Sequence, residues 1–332
     1  MKLRKTDRVA ELLAAKISEG FGKMPPAGTD WIPENATEPV VVEEKAEAEI
    51  APDETLKEQI FSMFRNNKLA LVSAIIIVLF ILATLLAPII APCDPYAQDL
   101  SKRLTDPSVE NWLGTDNYGR DIFSRMLYGG RVSLMIGLIP TLISMIIGTV
   151  LGLVAGFIGG KIDSIIMRLA DVLMAFPSLL LAMLVSYTLG NGLLTIFIAL
   201  SFVSWAGTAR VVRSEVLSLR EKEYVEAATS IGVKKWTIML RHILPNCVPT
   251  LIVLFTMNVP GNILTESSLS FLGIGAQPPS TSWGLLVYQM KKFLSSSPVA
   301  TLAPGIAILI LVVAFNFLGD ALRDKLDPSL KD

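Results

Sequence analysis

The sequence holds only two cysteines, Cys93 and Cys247, and a single histidine, His242. Two cysteines cannot form a disulfide framework, and together with one histidine they leave almost no ligands for a structural zinc site. Neither sign of charge predominates, because 29 basic residues nearly balance 30 acidic ones. A nucleic-acid partner, which a basic surface would indicate, is therefore not expected.

Charge is also scarce over long stretches of the chain. Only 18% of the 332 residues are charged, while 52% are hydrophobic; soluble domains have about 25% charged and about 45–50% apolar residues. No charged residue lies between Arg131 and Lys161 or between Asp171 and Arg210. This concentration excludes a soluble globular enzyme and a disordered chain, and it predicts an all-α integral membrane protein.

The uncharged stretches divide into membrane spans. A spanning helix needs about 20 apolar residues, because the hydrocarbon core is about 30 Å thick. The stretch after Asp171 is long enough for two helices, which the turn residues 189–192 separate. Pro260 with Gly261 predicts a kink in a later helix. The sequence thus predicts a transmembrane domain at 69–320 with six spans, at 69–91, 132–158, 172–189, 193–210, 248–269 and 299–317.

Basic residues in short loops predict the orientation of these spans, since such loops remain in the cytoplasm. The loop between spans four and five is strongly basic, and Lys and Arg also precede span one and follow span six. With six crossings, both termini are then cytoplasmic. The segment 92–131 is external in this topology, where its acidic residues offset its basic ones. Cys93 would lie outside and Cys247 near the inner surface, so the two are not expected to pair.

The chain outside the spans is polar. Residues 1–54 form a cytoplasmic tail with a basic amphipathic start and an acidic part rich in Pro, Glu and Ala. The start is either a helix on the inner leaflet or a loosely ordered tail, and the acidic part is typical of a disordered linker. Residues 55–68 predict an interfacial elbow helix, and 321–332 a cytoplasmic C-terminal tail. Because the first apolar run begins near residue 69, no cleavable signal peptide is expected.

The loop between spans four and five predicts a short helix, a glycine stop and a second short helix. Gly232 suits a left-handed C-terminal cap, where the missing Cβ atom removes the steric cost. Ala227 and Ala228 offer a small surface for close approach, which favours docking against another protein. Pro245 is expected to end the second helix before span five.

This loop resembles the EAA loop of ABC-importer permeases. That pattern is Glu-Ala-Ala, three residues, Gly and a distal Leu-Pro, and it is filled here by Glu226, Ala227, Ala228, Gly232, Leu244 and Pro245. His242 departs from the usual apolar residue, as in the peptide-transporter branch, and its expected role is structural. The resemblance implies that these residues, with Tyr224, form the coupling helix seated on an ATPase.

Four further stretches are similar to the C subunits of dipeptide/oligopeptide/nickel permeases, so that the resemblance covers about residues 60–330. They begin at Leu113-Gly114-Thr115-Asp116, Asp163, Leu269-Ser270-Phe271-Leu272-Gly273 and Gly319-Asp320. The family implies a type I (MetI-like) permease core in a bacterial inner membrane. It also implies a heterodimer with a homologous permease, two cytoplasmic ATPase subunits and an extracytoplasmic substrate-binding protein.

The resemblance implies a non-catalytic subunit whose partners bind ATP and Mg. The residues agree that the chain has no energy source of its own, since no phosphate-binding loop is present. The nearest approach is Gly159-Gly160-Lys161, where Ala155 replaces the first glycine and Ile162 replaces the magnesium-binding Ser or Thr. No paired catalytic residues are found, and no cofactor or metal is expected in this chain.

Several polar or small residues lie within the predicted spans. Glu266 either lines the pore or caps the backbone of Ser267 and Ser268, and Asn316 serves either pore gating or a hydrogen bond between helices. Asp163, Arg168 and Asp171 predict ion pairs at a tight turn. Glycines at 148, 152 and 156 suit close helix packing.

An importer of short peptides is the leading hypothesis. Within the same class, nickel chelates, glutathione or another small solute are alternative substrates. A secondary transporter driven by an ion gradient is an alternative of another class, but inverted repeats and ion-binding carboxylates are not apparent beyond Glu266. Dependence of uptake on ATP hydrolysis separates the two classes.

Overall fold

The computed structural model describes residues 56–190 and 192–326, and the described chain is helical. The predictions for the N-terminal tail at 1–54 and for most of the C-terminal tail lie outside these residues. The twelve α-helices of the described part are α1 Leu56–Asn66, α2 Lys68–Leu85, α3 Ala87–Ile90, α4 Ile122–Ile158, α5 Gly160–Ala175, α6 Ser178–Leu189, α7 Leu193–Arg220, α8 Glu223–Ser230, α9 Lys235–Ile238, α10 Leu244–Phe271, α11 Trp283–Met290 and α12 Pro298–Leu326.

Five helices of the described part are long and apolar enough to cross a membrane, and a bent pair makes up to six. The five are α2, α4, α7, the unbroken helix Lys235–Phe271 and α12, and the pair is α5 with α6, bent by 94°. The predicted span at 172–189 is therefore wrong as a continuous helix. The break falls at Phe176, which precedes Pro177 and takes an extended conformation because the proline ring disfavours the helical one there.

Most spanning helices extend beyond the apolar stretches that predicted them. Helix α4 begins at Ile122 rather than near 132, α7 continues to Arg220 rather than 210, and α12 continues to Leu326 rather than 317. A charged residue indicates where the chain leaves the hydrocarbon core, but it does not end a helix. Hydropathy therefore underestimates the length of these helices.

Helices α4 and α7 form the closest contact of the bundle. Three α4 glycines face α7, and a Cβ atom at Gly148, Gly152 or Gly156 would approach α7 atoms to between 2.7 and 2.8 Å. Side chains of that size would push the helices apart, so the glycines permit the contact. The predicted close packing of these residues is confirmed.

Helix α2 lies against α12 and α4 and is held at its C-terminal end by α4. Arg131 donates hydrogen bonds from Nε to the carbonyl oxygen of Thr84 at 2.6 Å and from Nη2 to that of Leu85 at 2.8 Å. Gly130 of α4 lies in close contact with the end of α2 and with Trp283: a Cβ atom at Gly130 would be 2.4 Å from Thr84 Cγ2 and 2.9 Å from Trp283 Cζ2. These contacts satisfy carbonyls that the helix end leaves without intrahelical partners.

The segment before α4 is folded around one buried carboxylate. Asp116 is fully buried, accepts a hydrogen bond from Arg120 Nε at 2.7 Å and forms an ion pair with Arg125, which is also buried. Arg125 Nη2 in turn donates to Gln289 Oε1 of α11 at 3.0 Å. This network joins the segment 92–121 through α4 to α11.

Candidate coupling surface

Helix α8 ends as the sequence predicts. Gly232 has a φ of 80°, and its N–H donates to the carbonyl of Thr229 at 3.0 Å, while the Val233 N–H donates to that of Ala228 at 3.1 Å. This pair of bonds is the Schellman motif, which satisfies the last carbonyls of a helix and reverses the chain. The left-handed cap at Gly232 is confirmed.

Helix α8 rests on the ends of α4 and α7 through a buried face. Val225 and Ala228 are 1% and 8% exposed, and they belong to an apolar cluster that includes Leu153 of α4 and Val212 and Val216 of α7. The prediction that Ala228 forms part of the docking surface is therefore wrong. The two alanines are 100° apart on the helix, so one of them faces the core while Ala227 faces outward.

The outward face of α8 carries an apolar stripe. Tyr224, Ala227 and Ile231 are exposed and follow the spacing i, i+3, i+7, which aligns them on one side of the helix. Ile231 is the most exposed of them, at 80%. The acidic residues Glu223 and Glu226 lie in the first turn, where they suit the positive end of the helix dipole. We call Tyr224, Glu226, Ala227 and Ile231 the coupling surface.

Ile231 was missed from the sequence, since the motif names the alanines and the glycine but leaves the positions between them open. The one feature of the sequence that could have indicated Ile231 is that a large apolar residue stands directly before the capping glycine. Such a residue is exposed at a helix end unless another element covers it.

The second helix of the loop continues into the next span instead of ending. Lys235–Phe271 is an unbroken helix of 37 residues, in which a π-helical turn at Met239–Ile243 joins α9 to α10. The prediction that Pro245 ends the second helix is therefore wrong. Pro245 lies in the first turn of α10, where its missing N–H costs little, and the wider π turn before it accommodates the ring. Leu244 is partly buried in the cluster beneath α8.

His242 lies in this π turn, where its backbone carbonyl takes part in a hydrogen bond with a side chain. Its carbonyl oxygen accepts a hydrogen bond from Asn246 Nδ2 at 2.6 Å, and the Asn246 amide also reaches Tyr224 Oη at 3.5 Å. Among the described residues, no group of three or more His, Cys, Asp and Glu side chains is arranged to hold a metal ion.

The acidic residues of α5 pair with arginines of α7 rather than within their own turn. Asp163 binds Arg213 and Asp171 binds Arg210, while Arg168 is exposed. The prediction that Asp163, Arg168 and Asp171 pair with one another is therefore wrong, and the true partners could not be predicted because they lie 39 and 50 positions away. Both pairs join α5 to α7, and Asp163–Arg213 is the less exposed of the two.

Glu266 lies at the far end of the long helix, inside the protein. Its side chain is fully buried, and Oε1 accepts hydrogen bonds from Ser270 Oγ at 2.6 Å and Ser282 Oγ at 2.8 Å. It therefore lines no exposed surface of this chain and does not cap Ser267 and Ser268, because the carboxylate turns toward α11. The capping interpretation is therefore wrong, whereas the pore interpretation stays a prediction that the burial of this side chain does not favour.

Asn316 is exposed on α12. Its side chain bonds to no other helix within the described residues, contrary to the predicted interhelical hydrogen bond.

Comparison with known proteins identifies the family. Residues 148–332 match the binding-protein-dependent transport system inner membrane component, and residues 55–107 match the N-terminal TM domain of oligopeptide transport permease C. The dipeptide transport system permease protein DppC of Alkalihalophilus pseudofirmus is 43% identical over 82% of this chain and 89% of the relative. The glutathione transport system permease protein GsiD of Shigella flexneri is 42% identical over 85% of this chain and 94% of the relative. The chain therefore belongs to the dipeptide/oligopeptide family of ABC-importer permeases, and its helical core is of the type I, MetI-like kind.

Proposed function

We propose that this chain is one transmembrane half of an ATP-driven importer of short peptides in a bacterial inner membrane. It pairs with a homologous permease, rests on two cytoplasmic ATPase subunits and receives its substrate from an extracytoplasmic binding protein. The dipeptide permease relative supports this substrate class, and the glutathione permease relative supports glutathione, itself a short peptide, as an alternative within it. Nickel chelates are the more distant alternative.

The observation that carries the proposal is the coupling surface. An exposed apolar stripe on a short helix would be unfavourable in water, but it suits a docking site that another protein covers. The opposite face of α8 is anchored in the cluster that joins α4 and α7. A force applied to α8 is therefore passed directly to the spans, since close-packed cores transmit strain.

The unbroken helix Lys235–Phe271 extends this linkage across the bilayer. Its 37 residues measure about 55 Å at about 1.5 Å per residue, more than the thickness of the hydrocarbon core. Closure of the ATPases would tilt this helix and change access to the pore between the two permeases. The chain itself is non-catalytic in this scheme, and the partner subunits bind ATP and Mg and hydrolyse ATP.

Purification and reconstitution test the proposal. Affinity-tagged chain, expressed with its neighbouring subunits, should retain ATPase subunits through purification. In proteoliposomes, uptake of a labelled dipeptide should stop when hydrolysis is blocked while a proton or sodium gradient persists. Gradient-driven uptake by this chain alone would overturn the proposal and support a secondary transporter. Competition by glutathione against the dipeptide, with the matching binding protein present, distinguishes the two substrates.

A further inference from the structure

The long helix ends at a polar cluster built around Glu266. Two hydroxyl groups donate to the same carboxylate oxygen, one from Ser270 on the next turn of the helix and one from Ser282 just before α11. The other oxygen, Oε2, is buried without a hydrogen-bond partner. An ionisable side chain buried at membrane depth is costly, and such residues mark functional positions.

Each of the two hydroxyls also holds the backbone of the segment that follows. Ser270 Oγ accepts a hydrogen bond from the Ala276 N–H at 3.2 Å, and Ser282 Oγ accepts one from the Leu285 N–H at 3.1 Å. Glu266 is thus connected through Ser270 to Ala276, in the middle of the segment 272–282, and through Ser282 to the first turn of α11. The carboxylate therefore joins the long helix to both the segment and the start of α11.

Two glycines bring the same segment into direct contact with the helix. A Cβ atom at Gly275 would be 2.0 Å from Ser270 Oγ, and one at Gly284 would be 2.7 Å from Ser267 Cα and 3.1 Å from Glu266 Oε2. No side chain fits at either position, so the backbone at Gly275 and, within α11, at Gly284 lies directly against the long helix.

The other side of α11 is attached to α4. The Trp283 N–H donates to Ser133 Oγ at 3.0 Å and its Nε1 donates to the Met126 carbonyl at 2.9 Å, while Gln289 accepts from Arg125. Helix α11 therefore bridges the long helix and α4 at the end of the bundle opposite the coupling surface. A change in the angle between those two helices must move or strain α11.

We propose that Glu266 is a positioning residue that passes the tilt of the long helix to the segment 272–290, at the end of the bundle opposite the coupling surface. The proposal rests on the proposed function. The carboxylate acts through Ser270 and Ser282, and it contacts no substrate. Its role needs an acceptor oxygen at Oε1 rather than a negative charge.

This requirement separates the proposal from a pore-lining carboxylate. Glutamine keeps an acceptor oxygen for both hydroxyls but has no charge, whereas alanine loses both. A pore carboxylate that attracts a cationic substrate would fail equally in Glu266→Gln and Glu266→Ala. A positioning carboxylate would fail only in the second.

The experiment uses the whole complex in proteoliposomes and compares four variants of this chain: Glu266→Gln, Glu266→Ala, Ser270→Ala and Ser268→Ala. The readout is peptide uptake per ATP hydrolysed, at equal abundance of assembled complex. Ser268 is the matched control, because it lies on the same helix and bonds only to the Leu264 carbonyl one turn away. Loss of the acceptor for both hydroxyls predicts a fall of about tenfold for Glu266→Ala, loss of one of the two hydrogen bonds predicts a smaller fall for Ser270→Ala, and Glu266→Gln and Ser268→Ala should stay within about threefold of wild type.

The experiment distinguishes failure of the Glu266 proposal from failure of the proposed importer function. Equal losses in Glu266→Gln and Glu266→Ala would overturn it in favour of a charge in the pore, and wild-type coupling in Ser270→Ala and Glu266→Ala would overturn it altogether. If Glu266→Ala does not assemble, Glu266→Gln and Ser270→Ala still test the claim. Failure of the importer function would appear as absent ATP-driven uptake in the wild type.

Discussion

Ile231 is a large apolar side chain exposed at the end of α8, beside Ala227 and Tyr224. Its exposure is unfavourable in the isolated chain and becomes favourable when a partner covers it. Full burial of such a side chain is worth about 1.5–3 kcal/mol. Most of the affinity of a protein interface comes from a few well-packed residues, among which tyrosine is enriched, so Tyr224 beside Ile231 adds to the expected contribution.

We therefore expect Ile231→Glu to weaken ATPase binding by about tenfold or more, since about 1.4 kcal/mol corresponds to a factor of ten. The measurement is the amount of ATPase subunit retained on tagged permease across a dilution series. Val109→Glu is the control, because Val109 is also apolar and 94% exposed but lies in the segment before α4. Equal retention by the two variants would remove Ile231 from the docking site.

Gly232 allows a second test at a single residue, because its φ of 80° is unfavourable for any residue with a Cβ atom. We expect Gly232→Ala to destabilise the cap by about 1–2 kcal/mol, with space around the new methyl group because no atom lies within 4 Å. Gly232→Pro is expected to be worse, because proline requires a negative φ and removes the N–H that bonds to Thr229.

The measurement for Gly232 is peptide uptake per ATP hydrolysed, together with the rate of protease cleavage in the loop. Ser230→Ala, an exposed change two residues away, is expected to behave as wild type. Wild-type coupling in Gly232→Pro would show that the cap geometry is not needed to transmit force.

The coupling residues show how much of a site a sequence can determine. The conformation of Gly232 could be predicted, because it follows from the local helix end. The opposite orientations of Ala227 and Ala228 could not, because they depend on where α4 and α7 bring Leu153 and Val216. Glu266 could be recognised as unusual in a span, and Ser270 lies one turn further along the same helix, but the second partner, Ser282, is fixed by the packing of a segment that begins after the helix ends.

At the level of helices, uncharged stretches predicted the spans, and the described residues form helices that are long and apolar enough to cross a membrane at these places, with the third span made of a bent pair. Helix ends and bends follow other causes. Phe176-Pro177 breaks the third span through a steric restriction that acts on one residue, and Pro245 fails to break the fifth because a π turn precedes it. The effect of a proline depends on whether the preceding turn can widen, which the sequence alone does not reveal.

The contact between α4 and α7 yields a prediction about stability. Gly152→Ala would place a Cβ atom 2.7 Å from the Ala209 carbonyl oxygen and 2.8 Å from Val212 Cβ, and a backbone atom cannot move aside independently. We expect a loss of about 1–3 kcal/mol, as for other overpacked cores. The measurement is the thermal unfolding midpoint of the purified complex in detergent.

Gly207→Ala is the matched control, since Gly207 lies in α7 with no neighbouring atom within 4 Å. Alanine favours helix formation over glycine by about 0.8–1.0 kcal/mol, so this variant should be at least as stable as the wild type. A Gly152→Ala protein as stable as Gly207→Ala would show that the glycines do not determine the approach of the two helices.

For the whole molecule, the orientation in the membrane can be tested at Cys93, which is exposed in the segment between α3 and α4. The basic loops predict that this segment is extracytoplasmic. A membrane-impermeant maleimide should label Cys93 in spheroplasts, and Cys93→Ser should abolish the labelling. Cys247 is buried and should react only after denaturation. Labelling confined to inside-out vesicles would reverse the orientation.

The pH dependence of this labelling has a definite sign. Partial desolvation of the exposed Cys93 thiol by its surroundings, and then the carboxylate of Asp121, raise its pKa above the ordinary value of 9.0. The reactive thiolate is therefore the minor form at neutral pH, and the labelling rate should still be rising when the pH passes 9. A rate that reaches its plateau below pH 8 would contradict the raised pKa.

The contact of α4 with the end of α2 indicates that the first span is an integral part of the permease fold. The two family matches end at residue 107 and resume at residue 148, and Gly130 and Arg131 lie in the interval between them. The absence of a side chain at Gly130 makes room there for Thr84. The guanidinium of Arg131 donates hydrogen bonds to the carbonyl oxygens of Thr84 and Leu85. Deleting the first span would leave an empty notch beside Trp283 and an arginine without its acceptors. Helix α2 therefore packs as part of the bundle and does more than anchor the chain in the membrane. A shortened engineered permease would have to retain α2 or fill the cavity that its removal leaves.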